Sequence, residues 1–103
     1  MLAARILVID DEKNIRRTLS LVLEGEGYEV VSFGSAQEGI LFLEKEGADL
    51  IILDIKLPGM TGVEALNKIR TVFFKNNNSY SKTIFLIRTA SLAITFTKYK
   101  PLA

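Results

Sequence analysis

The stretch ILVIDDEKN, residues 6–14, decides the fold. An apolar run passes directly into three acids, Asp10, Asp11 and Glu12. Apolar side chains favour burial and clustered carboxylates resist it. The chain must therefore leave an interior at the point where the acids begin. The run RILVI, residues 5–9, is rich in branched side chains and does not alternate with polar ones. That pattern predicts a short strand of a parallel sheet covered on both faces.

Outward from this strand the same grammar continues. NIRRTLSLVLE, residues 14–24, places Ile15, Leu19, Val22 and Leu23 at helical spacing, and Gly25 and Gly27 stop the helix. YEVVSF, residues 28–33, reads as a second strand. SAQEGILFLEKEG, residues 35–47, reads as a second helix, with Ser35 and Glu38 spaced as a capping box and Gly47 at its end. DLIILD, residues 49–54, is a third buried strand. LPGM is a turn, and TGVEALNKIR, residues 61–70, is a third helix opened by a second capping box, Thr61 and Glu64. A β-α-β-α-β-α order with short loops predicts an α/β fold, with a parallel sheet and helices on both faces.

Length and composition bound the rest. With 103 residues, 49% of them hydrophobic, the chain is expected to form one domain, residues 1–103. There is no run of about 18 apolar residues that could span a membrane. The first apolar run is short and ends in acids, unlike a signal peptide, so a cytoplasmic protein is the default expectation. The chain has no Cys and no His. This excludes disulfides, thiolate chemistry, Ser–His triads and most zinc sites, and any metal must bind to oxygen. The net charge of +1 hides an asymmetry. Residues 1–70 carry 8 basic and 12 acidic side chains, and residues 71–103 carry 5 basic and none acidic.

The first strand ends in Asp10 and Asp11, and the third ends in Asp54. Ligands of open parallel sheets sit at the carboxyl ends of strands, near the point where strand order reverses. If these strands are neighbours, the three carboxylates converge. Converging carboxylates repel, and a divalent cation relieves that repulsion. With oxygen donors only, Mg²⁺ fits. A carboxylate can also act as a nucleophile in aspartyl-phosphate chemistry. A single Asp after a strand is ordinarily a turn residue or a helix cap, and the coincidence of three at matching strand ends is what argues for a site. Two rival chemistries fail on the same residues. A dinucleotide fold needs G-x-G-x-x-G after the first strand, where this chain has DDEKN. An aspartate-based phosphohydrolase would resemble D-x-D, and here Lys56 stands two residues after Asp54.

ILVIDDEKNIRRTLSLVLEGEGYEV followed by ADLIILDIKLPGMTGVEALNKIR resembles the receiver domain of bacterial two-component response regulators, over residues 5–70. In style it is similar to receivers of sigma-54-dependent transcriptional activators. The resemblance implies a flavodoxin-like, doubly wound parallel sheet of strand order 2-1-3-4-5. It implies Asp54 as phosphoacceptor and Mg²⁺ bound directly by Asp11, Asp54 and the backbone carbonyl of Lys56, with Asp10 holding it mainly through water. Pro58 and Gly59 would shape the adjoining loop. A sensor histidine kinase would donate the phosphoryl group and dock on the first helix. Such a domain is a phosphorelay switch, taking part in its own phosphorylation rather than acting as a conventional enzyme. Its output, such as transcription regulation, would lie on a segment outside this chain or on a partner. A receiver-like interaction module that has lost the switch is the alternative.

After residue 70 the pattern breaks. TIFLI, residues 83–87, reads as a fourth strand. The resemblance implies a hydroxyl residue after that strand and a Lys-Pro after a fifth, and Thr89 and Lys100 stand in those roles. However, ten residues lie between them, and a parallel crossover alone takes about a dozen. No segment remains for the family's last helix, which often serves in dimerisation, and a bare sheet face would favour self-association, with a homodimer as one outcome. The expectation for residues 71–103 is a divergent, truncated or frameshifted tail. KNNNSYS, residues 75–81, shifted by one nucleotide, can encode a lysine, an apolar run and a proline, as a receiver would have there. Five positive charges without a motif make direct nucleic-acid binding a weak reading.

Overall fold

The computed structural model describes residues 3–54, 62–73, 83–87 and 96–99. Five strands form one sheet: β1 (Arg5–Ile9), β2 (Glu29–Phe33), β3 (Leu50–Asp54), β4 (Thr83–Ile87) and β5 (Phe96–Tyr99). Three helices are described: α1 (Lys13–Gly25), α2 (Ala36–Lys45) and α3 (Gly62–Phe73). The sheet order is β2-β1-β3-β4-β5. The order therefore reverses at β1, which has β2 on one side and β3 on the other. β1 pairs in parallel with both, and β3 pairs in parallel with β4.

The local signals explain these elements. α1 ends in a Schellman motif, in which the Tyr28 N–H donates to the Leu23 carbonyl and the Gly27 N–H to that of Glu24. Gly27 takes φ 94°, a backbone conformation that costs a glycine little. Before α2, Ser35 Oγ accepts from the Glu38 N–H at 3.3 Å, one half of the expected capping box. The partner box falls on Thr61, outside the described residues.

β1 is buried on both faces because successive side chains point opposite ways. Leu7 and Ile9 enter a core with Ala36 and Leu43 of α2, Ile51 and Leu53 of β3, Ala65, Ile69 and Phe73 of α3, and Ile84 of β4. Ile6 and Val8 alternate with them and are buried on the other side, where α1 packs against β1 and β2. That second layer is thin. No residue of α1 is fully buried: Ile15, Leu19 and Leu23 are half-buried, and Val22 lies exposed at the edge of the apolar stripe.

The all-parallel expectation needs one correction. β5 stands at the expected edge beside β4 but runs antiparallel to it, with Ile84 opposite Tyr99 and Ile87 opposite Phe96. Residues 88–95 separate the two strands. That length is too short for a right-handed crossover, which takes about a dozen residues or more. The chain therefore returns alongside β4 as in a hairpin. Among the described residues no helix is long and apolar enough to cross a membrane.

Candidate functional site

β1 and β3 are paired so that Ile9 lies opposite Leu53, and the next residue on each strand is an aspartate. Asp10 and Asp54 therefore leave the sheet side by side at its carboxyl rim. Both are buried, at 0% and 1% exposure. Asp11 follows as an exposed residue on the turn into α1. One carboxylate oxygen from each of Asp10, Asp11 and Asp54 can be chosen so that all three lie within 4.8 Å of one another.

The local geometry fixes Asp10 firmly. Its N–H donates to the Phe33 carbonyl at 3.1 Å, extending the contact with β2 by one rung. Its Oδ1 accepts from the Glu12 N–H at 2.9 Å, the bond of an Asx turn that bends the chain into α1. Its Oδ2 is buried and has no hydrogen-bond partner among the described residues. Burial is the main force on its charge and pushes the carboxyl up from 3.8 to about 6. The negative charges of Asp54 and Asp11 push the same way, and the Glu12 N–H pulls against them.

A buried carboxylate oxygen without a hydrogen-bond donor, on a residue clustered with two further carboxylates, is unfavourable for the bare protein and suited to a cation. The donors are all oxygen, and the chain has no His or Cys to offer a softer metal. A hard divalent ion such as Mg²⁺ meets this set, which leaves coordination positions for water and for an anionic ligand. Asp54 lies at the end of a central strand, with Ile87 of β4 opposite it on the other side.

Lys56, Pro58, Gly59, Thr89 and Lys100, also expected at the site, all lie outside the described residues. The strands leading to Thr89 and Lys100 are described, and they differ. β4 ends at Ile87, level with Asp54, so it points toward the rim. β5 ends at Tyr99 opposite Ile84, so it runs away from the rim. One residue near the acids went unread in the sequence. Arg16 of α1 donates from Nη1 to the Asp10 backbone carbonyl at 2.7 Å. The one signal for it was a glycine, Gly34, directly after the strand that neighbours β1.

The response regulator receiver domain model matches residues 6–91. The sporulation initiation phosphotransferase F of Bacillus subtilis is 35% identical over 72 residues, covering 70% of this chain and 58% of that protein. The chain spans smaller shares, 14% and 32%, of two other curated relatives. Among solved structures, the complex of histidine kinase ThkA with response regulator protein TrrA matches at TM-score 0.71 and 38% identity. That match covers 85% of this chain and 71% of the other. TrrA from Thermotoga maritima in complex with Mg²⁺-BeF matches at TM-score 0.66 and 38% identity, over 79% of this chain and 65% of that one.

Proposed function

The chain belongs to the response regulator receiver domain family, and from that premise we propose that it is a phosphoacceptor whose Asp54 takes a phosphoryl group from a sensor histidine kinase. The observation that carries the reading is the meeting of buried Asp54, buried Asp10 and exposed Asp11 at one rim of the sheet. A kinase partner is supported by the similarity to a receiver seen in complex with a histidine kinase.

In the transfer, an Asp54 carboxylate oxygen attacks phosphorus. The new O–P bond forms as the bond from phosphorus to the donor imidazole nitrogen breaks, and that nitrogen keeps the electron pair. The attacking group is the Asp54 carboxylate, and burial of Asp10 beside it makes a second charge there unfavourable until a cation offsets it. Asp10, Asp11, Asp54 and the Lys56 carbonyl would hold Mg²⁺. When bound, that ion offsets the repulsion between the carboxylates and the incoming phosphoryl oxygens. Thr89, which follows the strand that points toward the rim, is the group proposed to read the phosphorylated state. The protein's own side chain is the acceptor, so the domain is a switch rather than a turnover enzyme.

One observation favours a second reading. β5 runs away from the rim, opposite to the direction that would deliver a strand-end lysine to Asp54. A receiver-like interaction module without switching would tolerate that arrangement. Fluorine NMR with beryllofluoride and Mg²⁺ separates the two. The phosphoacceptor reading expects a protein-bound beryllofluoride signal that requires Mg²⁺ and disappears in Asp54→Asn. No bound signal from the folded wild type would leave the interaction module standing.

A further inference from the structure

We propose that Arg16 is a positioning residue for the acidic site: its guanidinium pins the Asp10 carbonyl, and thereby the Asp10–Asp11 peptide, so that Asp11 is already aimed to join Asp10 and Asp54 around Mg²⁺. The inference rests on the Mg²⁺ reading of the site given above.

The β1–β2 ladder ends at Ile9 and Phe33. The Asp10 N–H still finds the Phe33 carbonyl, but the Asp10 carbonyl has passed beyond the paired strands. A carbonyl at a partly buried position needs a partner. Arg16 supplies it from the first turns of α1, with a 2.7 Å bond whose donor is charged.

The peptide unit is planar, so fixing the Asp10 oxygen also fixes the direction of the Asp11 N–H and the path to the Asp11 Cα. This matters most for Asp11. Asp10 and Asp54 are buried and set by paired strands, whereas Asp11 is exposed on the turn. A ligand that has to be ordered when the ion arrives weakens binding.

An independent observation concerns Gly34, at the start of the β2–α2 connection. Its φ is not in the left-handed region, which among the described glycines is reached by Gly27 and Gly47. Backbone freedom therefore does not explain a glycine there. Space does. A Cβ at this position would lie 3.2 Å from Arg16 Nη1 and 3.7 Å from Cζ. The bare backbone at Gly34 thus leaves the groove in which the guanidinium reaches Asp10. Arg16 links the β1–α1 turn to α1, and Gly34 bounds it from the adjoining loop.

The test is calorimetric titration of the full chain with MgCl₂, alongside folding checks by circular dichroism. Arg16→Ala is expected to weaken Mg²⁺ binding about tenfold, the scale seen when a group that orients a metal ligand is removed. Arg16→Lys, with a single flexible ammonium in place of the fork, is expected to recover part of that loss. Gly34→Ala keeps Arg16 but displaces it, and is expected to weaken binding by a smaller factor. Arg5→Ala breaks a surface network at the opposite end of β1 and is expected to leave Mg²⁺ affinity unchanged. At saturating Mg²⁺, Arg16→Ala is expected to reach the wild-type extent of phosphorylation, because its defect is in affinity.

Wild-type affinity in folded Arg16→Ala overturns the inference and leaves the site reading intact. If Arg16→Ala does not fold, wild-type affinity in Gly34→Ala overturns it instead. Failure of the wild type itself to bind Mg²⁺ overturns the site reading and this inference together.

Discussion

At the scale of single residues, Asp10 carries the tension in this protein. Its buried carboxyl keeps a proton up to about pH 6, while the same group in an unfolded chain loses it near 3.8. Between those values the folded state binds more protons than the unfolded state, so this group's contribution to stability falls as pH rises. Above about 6 the net cost of its charge is present, from burial and the neighbouring acids less the Glu12 N–H bond, on the order of 2–3 kcal/mol. Asp10→Asn removes the charge and keeps an oxygen for the Glu12 N–H. In Mg²⁺-free buffer it should therefore be more stable than the wild type by about 1–3 kcal/mol at about pH 8, and the difference should vanish by about pH 4. Added Mg²⁺ should reverse the ranking, since it stabilises only the chain that binds it. Urea unfolding with and without Mg²⁺ measures this. Equal stabilities at about pH 8 without Mg²⁺ would show that Asp10 bears no such burden. Asp10, Asp11 and Asp54 were legible in the sequence because acids seldom coincide at matching ends of two buried strands unless a ligand offsets their repulsion. Arg16 was not legible, because an arginine between apolar helix positions looks like any solvated side chain until its carbonyl partner is seen.

At the scale of elements, α2 shows what close packing demands. Gly39 faces β1, where an added Cβ would collide with Ile9 Cδ1 and lie 2.8 Å from its Cγ1. Ile9 is fully buried in the core beside Leu7, Ala36 and Leu43. On helix propensity alone, Gly39→Ala would stabilise by up to about 1 kcal/mol. Overpacking costs about 1–3 kcal/mol and should win, giving a net loss of stability. Thermal melting would decide this, and a raised melting temperature would mean that Ile9 shifts freely. The elements themselves were readable. β1 and β4 span the predicted residues 5–9 and 83–87, and the other elements through α3 lie within a few residues of prediction. Apolar runs, caps and stop glycines agree with one another throughout that region. The direction of β5 was not readable from its own residues. Only the shortness of residues 88–95 carried that information, because it rules out a crossover.

At the scale of the whole molecule, the two faces of the sheet are unequal. α2 and α3 seal one side over a core that includes Ile69 and Phe73. On the other side, among the described residues, α1 alone covers Ile6 and Val8, and it leaves Leu21 70% and Val22 59% exposed. The acid site stands at the rim between these faces, at the reversal of strand order, where β1 and β3 set Asp10 and Asp54 and α1 reaches in through Arg16. This arrangement allows the site to assemble even though the β5 edge departs from the parallel plan. The most direct measurement is therefore the intact mass of the full chain after incubation with Mg²⁺ and a small phosphodonor, with Asp54→Asn treated in parallel. Phosphoryl transfer to Asp54 entails a gain of one phosphoryl group that requires both Mg²⁺ and Asp54. An unchanged mass in folded wild-type protein, or an equal gain in Asp54→Asn, would contradict it.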